Sequence, residues 1–183
     1  MLDVVALSFI IGYIRGGRIR EIPKFYKLWL LAIGFLLQYM GSLFFVQWAG
    51  IIVSISYIFM IMFFFNNREH EDIRIFMLGW FLNALVIWAN SGKMPVDLEQ
   101  AKRIGEAVEP LINGTSFKHI ALTAETKLPF LADFIYKPII VTRVISIGDI
   151  FVMLGTFLLV QRIMNKPISL IRLREGNSYA AKQ

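Results

Sequence analysis

The chain has no cysteine in 183 residues, which excludes disulfides, thiolate nucleophiles and cysteine-ligated metals. Histidine is nearly as scarce. His70 and His119 are the only two, and no pairing at metal-ligand spacing accompanies either, so neither a metal nor another cofactor is expected. Charge is the third shortage, at 17% of residues against 57% hydrophobic. A soluble domain carries about 25% charged residues and about 45–50% apolar ones. No internal repeat or low-complexity tract is present. The net charge of +6 could suit a nucleic acid. The basic residues sit beside apolar runs, however, where anchoring is the simpler role, and no nucleic-acid partner is expected.

What the chain does have is long uncharged runs. Residues 28–46, 49–65 and 75–89 carry no charge, and 150–160 extends the stretch that begins at Asp149. Each approaches the ~20 residues that cross a ~30 Å hydrocarbon layer at ~1.5 Å per residue. One such run could be a soluble core helix, but four in so short a chain point to a membrane. The first run is short, and Arg15 and Arg18 could snorkel to lengthen it. A cleaved signal peptide would place its basic residues first; here Asp3 precedes the apolar run and the arginines follow. The reading is therefore an uncleaved first helix with its N-terminus outside.

Five spans are predicted, at about 2–16, 28–46, 49–65, 74–90 and 147–164, in a single domain with an extracytoplasmic cap over 91–146. Counting them N-out and C-in puts 12 basic residues on the inner side, among them Arg15, Arg18, Arg20, Lys24 and Lys27, and seven in the long outer segment. That imbalance follows the positive-inside rule. Trp48, Trp80 and Trp88 fall near outer span ends and Trp29 near an inner one, as an aromatic belt would place them. The fold class is all-α, a polytopic transmembrane helix bundle with a small helical cap, and the location is a cell membrane crossed several times.

Within 91–146 the run VDLEQAKRIGEAVEPLI aligns Leu98, Ala101, Val108 and Leu111 near one helix face. Asp97 is its expected N-cap with Gln100 three residues on, and Asn113-Gly114 its stop. Pro129 and Pro138 bound a further short helical piece.

The residues that could carry chemistry gather toward the outer side: Asp3, Asn83, Asn90, His119, Asp133 and Asp149. Ionisable groups at membrane depth are costly, so they are functional candidates. Ser146-Ile-Gly-Asp149 fits a capping box, in which the serine hydroxyl and the acid satisfy each other's backbone N–H groups. Asp149 can also be one half of a catalytic pair with Asp133, since of two neighbouring carboxyls one keeps its proton while the other activates water. His119 is either an acid–base group or a hydrogen-bonded loop histidine. Asn90-Ser-Gly-Lys-Met-Pro95 makes a stiff exit from a span, or places Lys93 against an anion such as a lipid phosphate. Arg15, Arg18 and Arg20 anchor the inner side and can bind anionic lipid headgroups. Gln38, Asn83, Ser54 and Ser56 suit interhelical hydrogen bonds. Tyr57–Phe65 reads as lipid-facing or packed surface.

Asp133-Phe-Ile followed by Ser-Ile-Gly-Asp149 at a helix start resembles the end of bacterial signal peptidase II, which implies Asp133 and Asp149 as catalytic aspartates. Over its whole length the chain resembles an uncharacterised family of small five-helix bacterial membrane proteins. The residues that carry this are Arg15-Gly-Gly-Arg18, Asn90-Ser-Gly-Lys-Met-Pro95, Thr126-Lys-Leu-Pro-Phe-Leu-Ala-Asp133 and Ser146-Ile-Gly-Asp149. That resemblance implies a bacterial cytoplasmic membrane and a shared architecture, with no activity attached.

Three functions follow as expectations. The first is a membrane subunit or lipid-facing binding module, with a polar pocket of Asn90, Lys93, His119, Ser146, Asp133 and Asp149, and with membrane lipids or another membrane protein as partner. The second is an aspartyl hydrolase acting on a lipid-linked substrate. The third is an oligomeric transporter or ion carrier.

Overall fold

A computed structural model describes residues 2–19, 22–138 and 140–170. The chain is mostly helical. The five expected spans coincide with five helices: α1 (Leu2–Ile14), α2 (Leu28–Phe44), α3 (Ala49–Asn66), α4 (Glu71–Ala89) and, at the far end of the described chain, a helix over Ile147–Ile163. A single 3₁₀ turn over Val46–Trp48 joins α2 to α3. Two helical stretches, Val46–Asn66 and Glu71–Ala89, are long and apolar enough to cross a membrane. The first helix covers 13 residues, or about 20 Å, and ends where Gly16 adopts φ 73°, a backbone state that favours glycine.

The segment between α4 and the last helix departs from the all-α expectation. It holds β1 (Met94–Val96), α5 (Leu98–Arg103), α6 (Glu109–Ile112), β2 (His119–Ala121), β3 (Ile135–Lys137) and β4 (Arg143–Ile145), before α7 (Ile147–Ile163). The expected helix over 97–112 is two short pieces, because Gly105 takes φ 79° between them. Asp97 does cap the first, accepting from the Gln100 N–H at 3.0 Å. The expected helical piece between Pro129 and Pro138 is instead one 3₁₀ turn over Pro129–Leu131 followed by β3. Pro129 suits the first position of that turn, and the turn ends where Ala132 becomes extended at ψ 170°.

β1 is the centre of the cap. It pairs in parallel with β2, Met94 opposite His119 and Val96 opposite Ala121. On its other side Val96 bridges Asp133. Pro95 fits there because only its carbonyl is used, accepting the Asp133 N–H at 2.9 Å, while the Asp97 N–H donates to the Asp133 carbonyl at 2.9 Å. β3 and β4 form an antiparallel hairpin, Ile135 opposite Ile145.

The long helices pack in the order α2, α3, α4, α7, α1. Polar groups tie the neighbours. Gln38 Nε2 donates to Ser56 Oγ at 2.8 Å between α2 and α3. Arg162 of α7 holds Asp72 of α4, with Nη2 2.8 Å from Oδ2. Gln161 Nε2 donates to the Ser8 carbonyl at 2.8 Å between α7 and α1. These polar groups point inward, while Leu2, Ile10, Trp29, Phe35, Leu36 and Ile51 are among the large apolar side chains left exposed. Asp3 is buried and holds Lys137 and Arg143, joining α1 to the β3–β4 hairpin.

Candidate functional site

α7 begins well inside the helix row rather than at its edge. Ser146 and Asp149 form the expected capping box: the Asp149 N–H donates to Ser146 Oγ at 3.0 Å, and the Ser146 N–H donates to Asp149 Oδ2 at 3.1 Å. Asn83 of α4 completes the group. Its Nδ2 donates to Asp149 Oδ1 at 3.1 Å, and its Oδ1 accepts from Ser146 Oγ at 2.9 Å. Asn83 lies six residues before the end of α4, so the start of α7 is sunk roughly 9 Å below it.

Above this sunken start is a cavity of about 250 Å³. Gln38 comes from α2, Tyr57 from α3, Trp80 and Asn83 from α4, and Asp149 from α7. The cap contributes Met94, Lys118, His119 and Asp133 as its roof. β1 makes that roof: β2 brings in His119 on one side of it, and the Val96 bridge brings in Asp133 on the other. Tyr57 is eight residues into α3, so the cavity reaches about 12 Å below the helix end.

Asp133 is only 8% exposed, and its Oδ1 is buried with no hydrogen-bond partner. Burial, reinforced by the charges of Asp149 and Glu106, pushes its carboxyl well above the ordinary carboxylate range. Burial also pushes His119 down, with Glu106 opposing, and lowers Lys118. Trp80 Nε1 is a second buried polar atom without a partner.

Of the residues singled out in the sequence, Gln38, Asn83, His119, Asp133 and Asp149 share this cavity. Ser146 is fully buried just behind it, bonded to Asn83. Asn90 and Lys93 stand outside the lining. Asn90 stitches α4 to the cap: its Nδ2 donates to the Val86 and Lys127 carbonyls, and its Oδ1 accepts the Lys127 N–H. The Lys93 ammonium donates to the Gly114 carbonyl. Both therefore hold the turn after α4, where the stiff exit from a span was expected. Arg15 donates to Gln161 Oε1 at 2.7 Å and to the Lys166 carbonyl at 2.8 Å. Arg18 lines a separate cavity of about 340 Å³ with Gly16, Met164, Asn165 and Lys166. Arg20 lies outside the described residues.

Tyr57, Trp80 and Lys118 were not anticipated. Trp80 sits mid-helix and faces Tyr57 with ring centroids 4.8 Å apart, not at a span end as a belt residue would. A polar tip on each ring was the available signal, since a buried Tyr O–H or Trp N–H needs a partner. Among the described residues no cluster of His, Cys, Asp and Glu could hold a metal ion.

Residues 23–161 match a family described as "Family of unknown function (DUF5317)". An uncharacterised protein of Thermotoga maritima is 34% identical over 163 residues, covering 86% of this chain and 88% of that one. No solved structure matches.

Proposed function

The chain belongs to the DUF5317 family of unknown function, and on that premise we propose that it is a small integral membrane protein whose outer-facing cavity is a binding site for a polar group. In this reading α1, α2, α3, α4 and α7 are the five spans, N-out and C-in, in a bacterial cytoplasmic membrane. The cap covers the outer side, and the partners are membrane lipids, a lipid-linked molecule or another membrane protein. Outward apolar side chains with inward, mutually bonded Ser8, Gln38, Ser56 and Gln161 suit a lipid surround. One observation carries the site: a buried carboxyl oxygen of Asp133, without a partner, on a residue that lines an open cavity. A buried polar group left unsatisfied costs about 1–3 kcal/mol, which a ligand's hydrogen bond would offset.

The absence of cysteine makes the topology directly testable. Thr115→Cys in the cap and Arg68→Cys in the α3–α4 turn are exposed positions on a cysteine-free background. A membrane-impermeant maleimide should label the first and spare the second in intact cells. The reverse pattern, or recovery of the chain in the soluble fraction, refutes the reading.

A second reading is an aspartyl hydrolase of a lipid-linked substrate. It is favoured by two carboxyls on one cavity in contrasting surroundings, Asp149 held by N–H donors and Asp133 desolvated. Asp149 would take a proton from water as the oxygen attacks a carbonyl that Asp133 protonates. The tetrahedral diol then collapses, breaking the bond to the leaving group, which takes the proton from Asp149 while Asp133 regains one from the diol hydroxyl. That reading requires Asp133→Asn and Asp149→Asn each to abolish turnover of a labelled lipid-linked pool. The binding reading has both changes alter stability or assembly while the pool stays as in the wild type.

A further inference from the structure

A site's ligand is constrained by what its walls leave unanswered. On this cavity, the two buried polar atoms without a partner are Asp133 Oδ1 and Trp80 Nε1. The indole can only donate, and a carboxyl oxygen accepts or, when protonated, donates. The charges on the lining nearly cancel. Asp133 is desolvated toward its neutral acid form and His119 toward its neutral imidazole. The other acidic and basic side chains on the lining are one of each, Asp149 and Lys118. An anion entering here would meet two carboxyl groups, and a cation would meet Lys118. Neither sign is favoured.

A hydroxyl answers both kinds of unanswered atom, because it donates once and accepts twice. The rest of the wall combines three aromatic rings with the amides of Gln38 and Asn83 and the apolar Val53, Ile87 and Met94. Tyr57 and Trp80 stand 52° apart in plane, and Phe35 lies at the α2 side. Such rings suit the C–H face of a sugar or a glycerol chain. Size agrees as well: 250 Å³ equals roughly eight waters at ~30 Å³ each, room for a three-carbon polyol or one hexose. Resting on the binding reading above, we infer that the cavity receives a neutral, hydroxyl-rich group between glycerol and a monosaccharide in size. That group can be a free polyol or the headgroup of a lipid.

The test uses the full chain in an amphipol free of sugar and ligand-detected saturation-transfer NMR. The probes are glycerol, methyl α-glucoside, ethanolamine and inorganic phosphate (read by phosphorus line broadening). A further arm adds monoglucosyl-diacylglycerol and asks whether it displaces the soluble probes. The expected result is transfer to glycerol or the glucoside and none to ethanolamine, with no broadening of phosphate. That transfer should be lost in Trp80→Phe, which keeps a ring and removes the N–H, and in Asp133→Leu. If Asp133→Leu does not fold, Trp80→Phe alone decides. Binding by the glucosyl lipid with no transfer to the soluble sugar also supports the inference and identifies the source as lipid. Response from ethanolamine or phosphate alone overturns the hydroxyl assignment and leaves the binding reading standing. Silence from every probe overturns both. Polyol transfer that survives Trp80→Phe places binding elsewhere and overturns the assignment.

Discussion

Gly148 lies so close to Asn83 that a Cβ on it would come within 2.0 Å of Asn83 Oδ1 and 2.8 Å of the Gly79 carbonyl. The sunken start of α7 depends on that contact, because it lets the Asn83 amide reach both Ser146 and Asp149. Gly148→Ala should destabilise by about 1–3 kcal/mol through overpacking. Asn83→Ala should cost a similar ~1–3 kcal/mol by leaving Ser146 and Asp149 short of partners. The two changes share one collision. The double variant should therefore lose less than the sum of the singles by at least ~0.5 kcal/mol, read from denaturation midpoints in detergent.

Asp133 gives a pH dependence whose sign is fixed by its raised carboxyl. The folded chain holds this proton to higher pH than the unfolded chain, whose carboxyl titrates near ~3.9. Between those two values stability falls as pH rises, and above the folded value the full deficit remains. Burial drives the rise and the charges of Asp149 and Glu106 add to it, with Lys118 and His119 facing the same cavity. Asp133→Asn has no proton to lose. Its melting temperature should gain on the wild type as pH climbs from about 4, and parallel curves would refute the assignment.

The Asp72–Arg162 pair ties α4 to α7 at the ends away from the cap, with side chains 5% and 22% exposed. Arg162→Met strands a buried carboxylate and should cost on the order of 3 kcal/mol. Asp72→Leu with Arg162→Met should recover most of that loss, because a matched apolar pair needs no desolvation of charge.

Asp3 should act as a clasp for the cap. Asp3→Ala frees Lys137 and Arg143 from the first helix. Tryptic cleavage after Arg143 should then quicken several-fold while cleavage after Arg68 stays constant. An unchanged rate after Arg143 would show that the hairpin does not depend on α1.

The helices were legible because their signals are local. Uncharged runs located all five, and the Ser146–Asp149 spacing announced the α7 cap in four letters. The cap was not legible in the same way. Its strands are three residues each, too short for an alternating pattern to rise above a helical one. Asp133 reaches the cavity through its pairing with β1, a contact made between distant parts of the chain. The site was half visible for the same reason. Acidic residues advertise themselves in an apolar chain, whereas Tyr57 and Trp80 look like any lipid-facing aromatics until the helices are set side by side.

Below Asn83, α4 and α7 touch backbone to backbone. A methyl on Gly79 would fall 2.5 Å from the Gly148 carbonyl, and one on Gly155 would fall 2.8 Å from the Phe76 nitrogen. With atoms that close along the seam, neither helix can slide or roll against the other, and the pair forms a rigid plate beneath the cavity.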